Sequence, residues 1–245
     1  MARRAACLGM VLAAGLSLPA LAGPPYLSDD PEPTDYKHFE IYNFNNGTVT
    51  RDGTSGEAGL DINYGGAPDL QLTATIPAGF ELPSGGSAKL GLSNVELAAK
   101  YRFLHQDMVG WDVAVFPRVF LPSPSGGVGD NHASFLLPVW VQRDWGGGWT
   151  SFGGGGCLFS AEFAQNHCMA GWVVTRKLLP NLQLGVELFH QTADAAGTPA
   201  SSSLGVGLTY DINKTYHLLG YVRRGVQNSE ETDRFGWYMA LLTTF

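Results

Sequence analysis

The chain has 245 residues, of which 44% are hydrophobic and 15% charged, with 32 Gly and 14 Pro. This composition excludes a coiled coil and an acidic disordered chain, because charge is too sparse and glycine too plentiful. The formal net charge of −7 argues against nucleic acid as a partner, since no basic face is available to neutralise phosphates.

The first 22 residues have the pattern of an export signal. Arg3 and Arg4 precede an apolar run from Ala5 to Leu18, and Ala20-Leu21-Ala22 places small residues before Gly23. We therefore predict a signal peptide over residues 1–22 and an oxidising destination for the mature chain. No later stretch approaches the roughly 18 to 20 apolar residues that a spanning helix requires, so the sequence excludes a helical membrane protein.

A proline-rich acidic segment, GPPYLSDDPEPTD, follows at residues 23–35. Its prolines forbid a helix or a central strand, so we predict an extended N-terminal arm. From residue 36 to residue 245 the dominant signal is alternation of apolar and polar residues, as in Leu70-Gln71-Leu72-Thr73-Ala74-Thr75-Ile76. Each such strand has one apolar and one polar side.

The alternation predicts about twelve strands in an all-β domain. Four of them are centred on Phe39 to Tyr42, Leu60 to Tyr64, Leu70 to Ile76 and Val95 to Phe103, and eight more are expected at Trp111 to Leu121, Ser134 to Asp144, Trp149 to Phe159, Met169 to Leu178, Leu182 to Gln191, Ser203 to Asp211, Tyr216 to Arg224 and Arg234 to Phe245. Pro117 and Pro138 fall inside two of these segments, where we expect bulges.

The connections between the predicted strands alternate in length. Short links such as LPN at residues 179–181 alternate with longer ones such as NNGTVTRDGTS, PAGFELPSGGSA, PSPSGGVGDNHA and TADAAGTPASS. Outer-membrane barrels have short periplasmic turns and long external loops, so this asymmetry favours a closed antiparallel transmembrane β-barrel. A secreted β-sandwich is the competing architecture, because it also alternates but hides its apolar face in a core.

Aromatic residues support the barrel. Phe235, Trp237, Met239, Leu241, Thr243 and Phe245 share one parity, and the terminal Phe245 is typical of the signal that barrel-assembly machinery recognises. Tryptophans and tyrosines near strand ends predict aromatic girdles at the two lipid interfaces; they are Trp111, Trp145, Trp149, Trp172, Tyr210 and Trp237.

The opening of the mature chain, Gly23-Pro24-Pro25-Tyr26-Leu27-Ser28-Asp29-Asp30-Pro31-Glu32-Pro33, resembles a group of Gram-negative outer-membrane proteins usually labelled transporter. They are related to the putative phenol meta-pathway degradation barrel family. Further similar segments are Asn63-Tyr64-Gly65 with Pro68 to Leu72, Lys100 to Phe103, Phe116 to Arg118, Gly153 to Gly156 and Gly185 to His190. The resemblance implies an uptake or pore role and an apolar or aromatic cargo.

If the apolar parity faces lipid, a set of polar side chains points into the barrel. These lumen-lining candidates are His38, Glu40, Asp61, Asn63, Gln71, Thr73, Glu96, Lys100, Arg102, Arg118, Gln183 and Glu187. Either they pair and plug a narrow barrel, or they line a selective path. Asp29, Asp30 and Glu32 of the arm are candidates to enter the lumen, meet Lys100, Arg102 or Arg118, and act as a gate.

Two further patterns bear on chemistry. His132-Ala133-Ser134 is similar to the His-x-Ser pairing of outer-membrane lipid hydrolases, but Asp144 lies about ten residues downstream, roughly 30 Å along a strand, too far to orient the histidine. Cys157 and Cys168 are candidates for a disulfide across a hairpin, whereas a metal site that combines them with His167 lacks standard spacing. We therefore expect no enzyme activity, cofactor or metal.

The sequence thus predicts an outer-membrane channel or transporter for small molecules in a Gram-negative bacterium. The resemblance implies apolar or aromatic cargo, whereas the charges of both signs predicted to line the lumen would suit polar solutes equally. Its expected partners are outer-membrane lipid, the barrel-assembly machinery and a small solute. The alternatives are a closed structural or adhesive barrel that acts through its external loops, and a lipid hydrolase.

Overall fold

The computed structural model describes residues 24–123, 125–161, 165–195 and 197–245. The predicted signal peptide lies outside the described residues. Within them the chain is almost entirely β-structure, with a single four-residue helix, α1 (Gln106–Val109). The described residues contain no helix of the length and hydropathy needed to cross a membrane.

Fourteen strand segments follow one another along the chain. They are β1 (Phe39–Val49), β2 (Gly53–Ala67), β3 (Leu70–Pro83), β4 (Lys89–Leu92), β5 (Val95–Leu104), β6 (Asp112–Val115), β7 (Arg118–Leu121), β8 (Ser134–Gly146), β9 (Trp149–Ser160), β10 (His167–Leu179), β11 (Leu182–Gln191), β12 (Ser201–Asp211), β13 (Tyr216–Gln227) and β14 (Phe235–Thr244). All pairings between them are antiparallel.

These segments form a closed barrel of twelve strands, two of which are each divided into two segments. β4 and β5 are two segments of one barrel strand, because both pair with β3. β6 and β7 are two segments of the next barrel strand, because both pair with β5 and β8. β1 pairs with β14 over ten residue pairs from Glu40–Thr244 to Val49–Phe235, which closes the cylinder. Closure leaves no strand edge in the wall, as a membrane barrel requires.

The two prolines within predicted strands behave differently. Pro117 interrupts the predicted strand over Trp111 to Leu121 and separates β6 from β7, because proline cannot donate a ladder hydrogen bond. Pro138 lies within the continuous strand β8, opposite Gly156, and its carbonyl accepts the N–H of Phe116. The bulge expected at Pro138 is therefore wrong.

The strands also run further than their sequence patterns. β1 reaches Val49 and β2 begins at Gly53, so the predicted loop NNGTVTRDGTS is mostly strand, and β3 absorbs much of the predicted loop that begins at Pro77. Asn, Gly and Asp are weak strand formers on propensity alone, but pairing within the closed sheet overrides that preference for Asn and Gly here.

The apolar side of the strands faces outward. Leu72, Leu97 and Leu241 are exposed by 47%, 48% and 40%, while Gln71, Glu96 and Lys100 on the opposite parity are buried. This arrangement is the inverse of a β-sandwich core and suits a wall surrounded by lipid. Cys157 and Cys168, directly opposite each other on β9 and β10, form the predicted disulfide, with 3.9 Å between their Cα atoms.

Candidate functional site in the barrel lumen

The N-terminal arm enters the barrel from the end that carries the short turns. At that rim Tyr36 bridges to Gly65, and Lys37 N–H donates to the carbonyl of Gly65. One step further inside, Thr34 N–H donates to Gln71 Oε1 at 2.8 Å. Gln71 Nε2 in turn donates to Asn63 Oδ1 at 2.7 Å, so a chain of side-chain amides joins the arm to β3 and β2. The arm is thereby held against the inner wall.

Lys100 is the strongest electrostatic contact of the arm. Its ammonium lies 3.0 Å from Asp29 Oδ1 and 3.8 Å from Asp30 Oδ1, and it also contacts the carbonyl of Glu32 at 3.4 Å. Lys100 is only 1% exposed, so the arm carboxylates supply the counter-charge that a buried ammonium needs.

Glu32 contacts a different strand from Lys100. Its carboxylate accepts a hydrogen bond from the side-chain amide of Gln142 on β8. Burial raises the pKa of Glu32 above its ordinary value, because the ionised form loses water. The arm therefore spans between β5 and β8 rather than following one strand.

The other end of the arm is held by a buried carboxylate and seated on glycines. Glu187 on β11 accepts the N–H of Ser28 at 2.7 Å and the N–H of Leu27 at 3.2 Å. The Tyr26 ring lies over Gly185 and Gly207, where a Cβ would come within 2.2 Å and 2.6 Å of its atoms, respectively. These two glycines face each other on β11 and β12, so the missing side chains form the seat for Tyr26.

Two lumen cavities meet at the arm. One, of about 370 Å³, is lined by wall residues nearer the long loops, such as Phe44, Thr48 and Arg223. The other, of about 290 Å³, is lined by residues near the short turns, such as Asp144 and Lys177. Pro24, Pro25 and Tyr26 line both cavities, so this end of the arm stands between them.

The remaining lumen-lining candidates pair with one another along the wall. Arg118 donates two hydrogen bonds to Glu96, both at 2.7 Å, and Arg102 contacts Asp69 at 2.9 Å and Asp112 at 3.8 Å. Hydrogen bonds between uncharged or singly charged wall side chains include Tyr42 to Glu40, Asn63 to Asp61, Thr73 to Asn63 and Gln183 to Thr175.

His38 is placed elsewhere. It precedes β1, is exposed at the short-turn rim, and its Nδ1 lies 3.1 Å from the carbonyl of Tyr36. The expectation that His38 lines the lumen is wrong, because β1 begins only at Phe39 and the chain bends into the arm before it.

The alternation of polar and apolar residues does not identify several of the side chains that face the lumen. Tyr42, Phe44, Phe116, Phe152 and Tyr221 are buried apolar or aromatic side chains on the inward parity. The polarity pattern cannot find them, because a barrel interior crossed by an arm contains its own packed contacts. Their parity could have identified them, because each lies an even number of residues from an inward polar residue on the same barrel strand, as Tyr42 does from Glu40.

Asp144 does not complete a catalytic triad with His132 and Ser134. Ser134 begins β8 and Asp144 lies near its other end, where the Asp144 carboxylate accepts the N–H of Gly146 at 2.8 Å. Among the described residues no group of three His, Cys, Asp or Glu side chains is arranged to hold a metal ion.

No family model and no curated protein matches the chain. Solved structures share its fold. The COG4313 outer-membrane channel from Pseudomonas putida F1 superposes with a TM-score of 0.69 at 13% identity, covering 87% of this chain and 99% of that one. The KdgM porin gives 0.59 at 12% identity, covering 84% and 99%, and the NanC porin gives 0.55 at 9% identity, covering 84% and 98%.

These identities establish the architecture alone, and none of the comparisons links the chain to the phenol meta-pathway family. The structural similarities, together with the outward apolar wall and the closed twelve-stranded sheet, show that this chain has the fold of outer-membrane β-barrel channels.

Proposed function

We propose that the protein is an outer-membrane channel for small solutes whose N-terminal arm closes the lumen. The observation that carries the proposal is the arm segment Pro24–Tyr26, which lines two lumen cavities on opposite sides of it, one nearer the long loops and one near the short turns. The similar solved structures are described as channels and porins, which supports the same role here.

The contacts of the arm suit a reversible closure. The segment has no ladder pairing over Pro24–Asp35, and side-chain hydrogen bonds and the Lys100 ion pair hold it in place. Contacts of this kind open at lower free energy than a paired strand, because few backbone hydrogen bonds must break. The arm is therefore proposed as a gate rather than a permanent part of the wall.

The larger cavity suggests the class of solute. Its volume of about 370 Å³ lies in the range of small-molecule sites. Tyr42, Phe44, Phe116 and Tyr238 give it aromatic walls, and Arg118 lies 5.4 Å from the centroid of the Phe116 ring. We infer small apolar or aromatic solutes, for which ring faces and nearby cations provide contacts.

Single-channel recording in planar bilayers tests the closure. The native chain is expected to show small or rare currents, and removal of residues 24–34 is expected to raise the conductance several-fold. A second opening variant, Gly207→Val, intrudes on Tyr26 without shortening the chain. Its matched control is Gly220→Val, because a Cβ at Gly220 meets only Leu208, at 3.7 Å.

Absence of current from both the native chain and the arm deletion would reject a channel. A large steady current from the native chain, unchanged by the deletion, would reject the gate but keep the channel. A tether separates a moving gate from a fixed constriction: Thr34→Cys with Gln71→Cys, once oxidised, is expected to suppress opening that each single variant retains.

Uptake by proteoliposomes that contain the arm deletion tests the solute class. Benzyl alcohol and benzoate are expected to exchange faster, relative to their diffusion through protein-free vesicles, than arabinose of similar size. Equal ratios for the three probes would reject the aromatic preference without affecting the channel role.

A further inference from the structure

The outward wall of the barrel carries very few charges. Among the described strand residues of outward parity, the Asp, Glu, Lys and Arg side chains are three arginines only, Arg143, Arg176 and Arg224. An arginine on a lipid-facing wall is unfavourable unless it lies near an interface or has a partner. Each of these arginines therefore needs either an interface or a partner.

Two of the three lie together near the short-turn end. Arg143 is three residues from the end of β8 and Arg176 three residues from the end of β10. Strand β9 runs between them, with Ser151 opposite Arg143 and Trp149 opposite Arg176. Two strand spacings, combined with the two-residue offset between Ser151 and Trp149 along β9, place the two Cα atoms about 12 Å apart, within the reach of two arginine side chains toward one phosphate group.

Tryptophans surround both guanidinium groups. Arg143 lies 4.6 Å from the ring centroid of Trp145 and 5.5 Å from that of Trp111, and Arg176 lies 4.8 Å from that of Trp149. Trp111 and Trp145 meet edge to face at 6.0 Å. Trp145 is fixed further by its indole N–H, which donates to Ser151 Oγ at 2.9 Å. The rings hold the guanidinium planes in place before any ligand binds.

Arg143 and Arg176 differ from the inward arginines in having no counter-ion among the residues that the structure describes. Within the parts of the chain that the structure describes, no carboxylate forms an ion pair with Arg143 or Arg176. The inward arginines differ, because Arg102, Arg118 and Arg223 each contact an Asp or Glu at 2.9 Å or less. The outward pair thus offers two unneutralised guanidinium groups at the level where tryptophans mark a lipid interface.

We propose that Arg143 and Arg176, supported by Trp111, Trp145 and Trp149, bind the phosphate of an anionic glycerophospholipid. The short turns of such barrels face the periplasm, so the site meets the leaflet on that side. A guanidinium fork donates two parallel hydrogen bonds to phosphate oxygens. Phosphatidylcholine and phosphatidylethanolamine carry the same phosphate but add a headgroup cation, which two unneutralised guanidinium groups repel, so the pair favours a lipid with net negative charge. The site rests on the outward wall and does not depend on conduction through the lumen.

Native mass spectrometry of the purified chain, released from micelles that contain equal phosphatidylglycerol and phosphatidylcholine, tests the site. The native chain is expected to retain phosphatidylglycerol preferentially. The double variant Arg143→Gln with Arg176→Gln is expected to lose that preference by about tenfold. Arg224→Gln is the matched control, since it removes an outward arginine near the opposite end and is expected to retain the preference.

Unchanged retention in the double variant would overturn the proposal, and so would an equal loss in Arg224→Gln. A second copy of the chain is the competing occupant: a dimer mass without retained lipid, abolished by the double variant, would replace the lipid. Conductance of the double variant is expected to equal that of the native chain, which keeps this test separate from the channel proposal.

A second measurement covers a double variant that fails to fold. Dibrominated phosphatidylglycerol is expected to quench the tryptophan fluorescence of the native chain in vesicles more strongly than dibrominated phosphatidylcholine at equal mole fraction. Equal quenching by the two lipids would contradict the site.

Discussion

The inner surface of the barrel holds its arm in two different ways. The wall formed by β1–β7, here the charged wall, contacts Asp29, Asp30 and Thr34 through Lys100 and Gln71. The wall formed by β9–β12, here the glycine wall, seats Tyr26 on Gly185 and Gly207 and leaves Gly171 against Ser28. The charged wall binds the arm through side-chain charge and hydrogen bonds, whereas the glycine wall adds a seat made of missing side chains to the hydrogen bonds that Glu187 accepts from the arm backbone.

The difference has a physical consequence. Charge pairing in a lumen is strong only while both partners are present, since a lone buried ammonium or carboxylate is costly. A glycine seat holds by shape, so any added side chain opposes the arm whatever its polarity. Loss of either wall is expected to release the arm, and the size of each effect should differ.

The charged wall is expected to give the largest effect. Lys100→Met removes the ammonium but keeps the length of the side chain, and leaves Asp29 and Asp30 without their cation. We expect the free energy that holds the arm to fall by about 3–5 kcal/mol. Cleavage of the arm by a nonspecific protease at the periplasmic side measures this opening.

A charge-matched variant sharpens that result. Lys100→Met combined with Asp29→Asn and Asp30→Asn removes the stranded carboxylates, and is expected to recover part of the protection. No recovery would mean that the packing of Lys100 against Phe116, 5.0 Å from its ring centroid, matters more than charge.

The disulfide lies outside the arm contacts but on the outer side of the glycine wall. Cys157→Ser with Cys168→Ser is expected to lower the free energy of unfolding in urea by about 2–3 kcal/mol, because a short loop loses its covalent closure. Protease protection of the arm should stay at the native level. Exposure of the arm in this variant would show that the outer cross-link shapes the inner seat.

The glycine wall is expected to give a smaller effect than Lys100. Gly207→Val overfills the space beneath Tyr26, and we expect the arm to be destabilised by about 1–3 kcal/mol. The same protease assay measures it, with Gly220→Val as the control that should match the native chain. Equal exposure of the arm in the two valine variants would show that the glycine seat does not hold the arm.

The smallest effect is expected at an exposed ion pair of the charged wall. Lys89 and Glu81 meet at 2.7 Å near the long loops, with side chains 48% and 40% exposed. Water screens such a pair, so Lys89→Ala is expected to change the free energy of unfolding by no more than about 0.5 kcal/mol. A loss near that of Lys100→Met would contradict the dependence on burial.

Alternation found the strands and their two sides because period two is a local property. Glu96, Lys100 and Glu187 follow from that parity, and so does the outward position of Leu72. The same reasoning failed at His38, one residue before β1, since strand ends depend on pairing partners that local sequence does not contain.

The partners inside the lumen were harder to predict. The acidic arm suggested that Asp29 meets a cation, but nothing local distinguishes Lys100, the observed partner, from Arg102 or Arg118, which pair with wall carboxylates. Gln142 and the glycine seat went unpredicted, because both contact the arm from strands more than 100 residues away in the chain.

The sequence by itself determined strands with one apolar and one polar side, and it favoured a barrel with a candidate disulfide between Cys157 and Cys168, since these depend on side-chain parity and spacing. Only the tertiary structure decided which inward charges pair with the arm, where the arm divides the lumen, and that two outward arginines share one aromatic setting. Those features join residues from distant strands, and the register of a closed sheet fixes their distances.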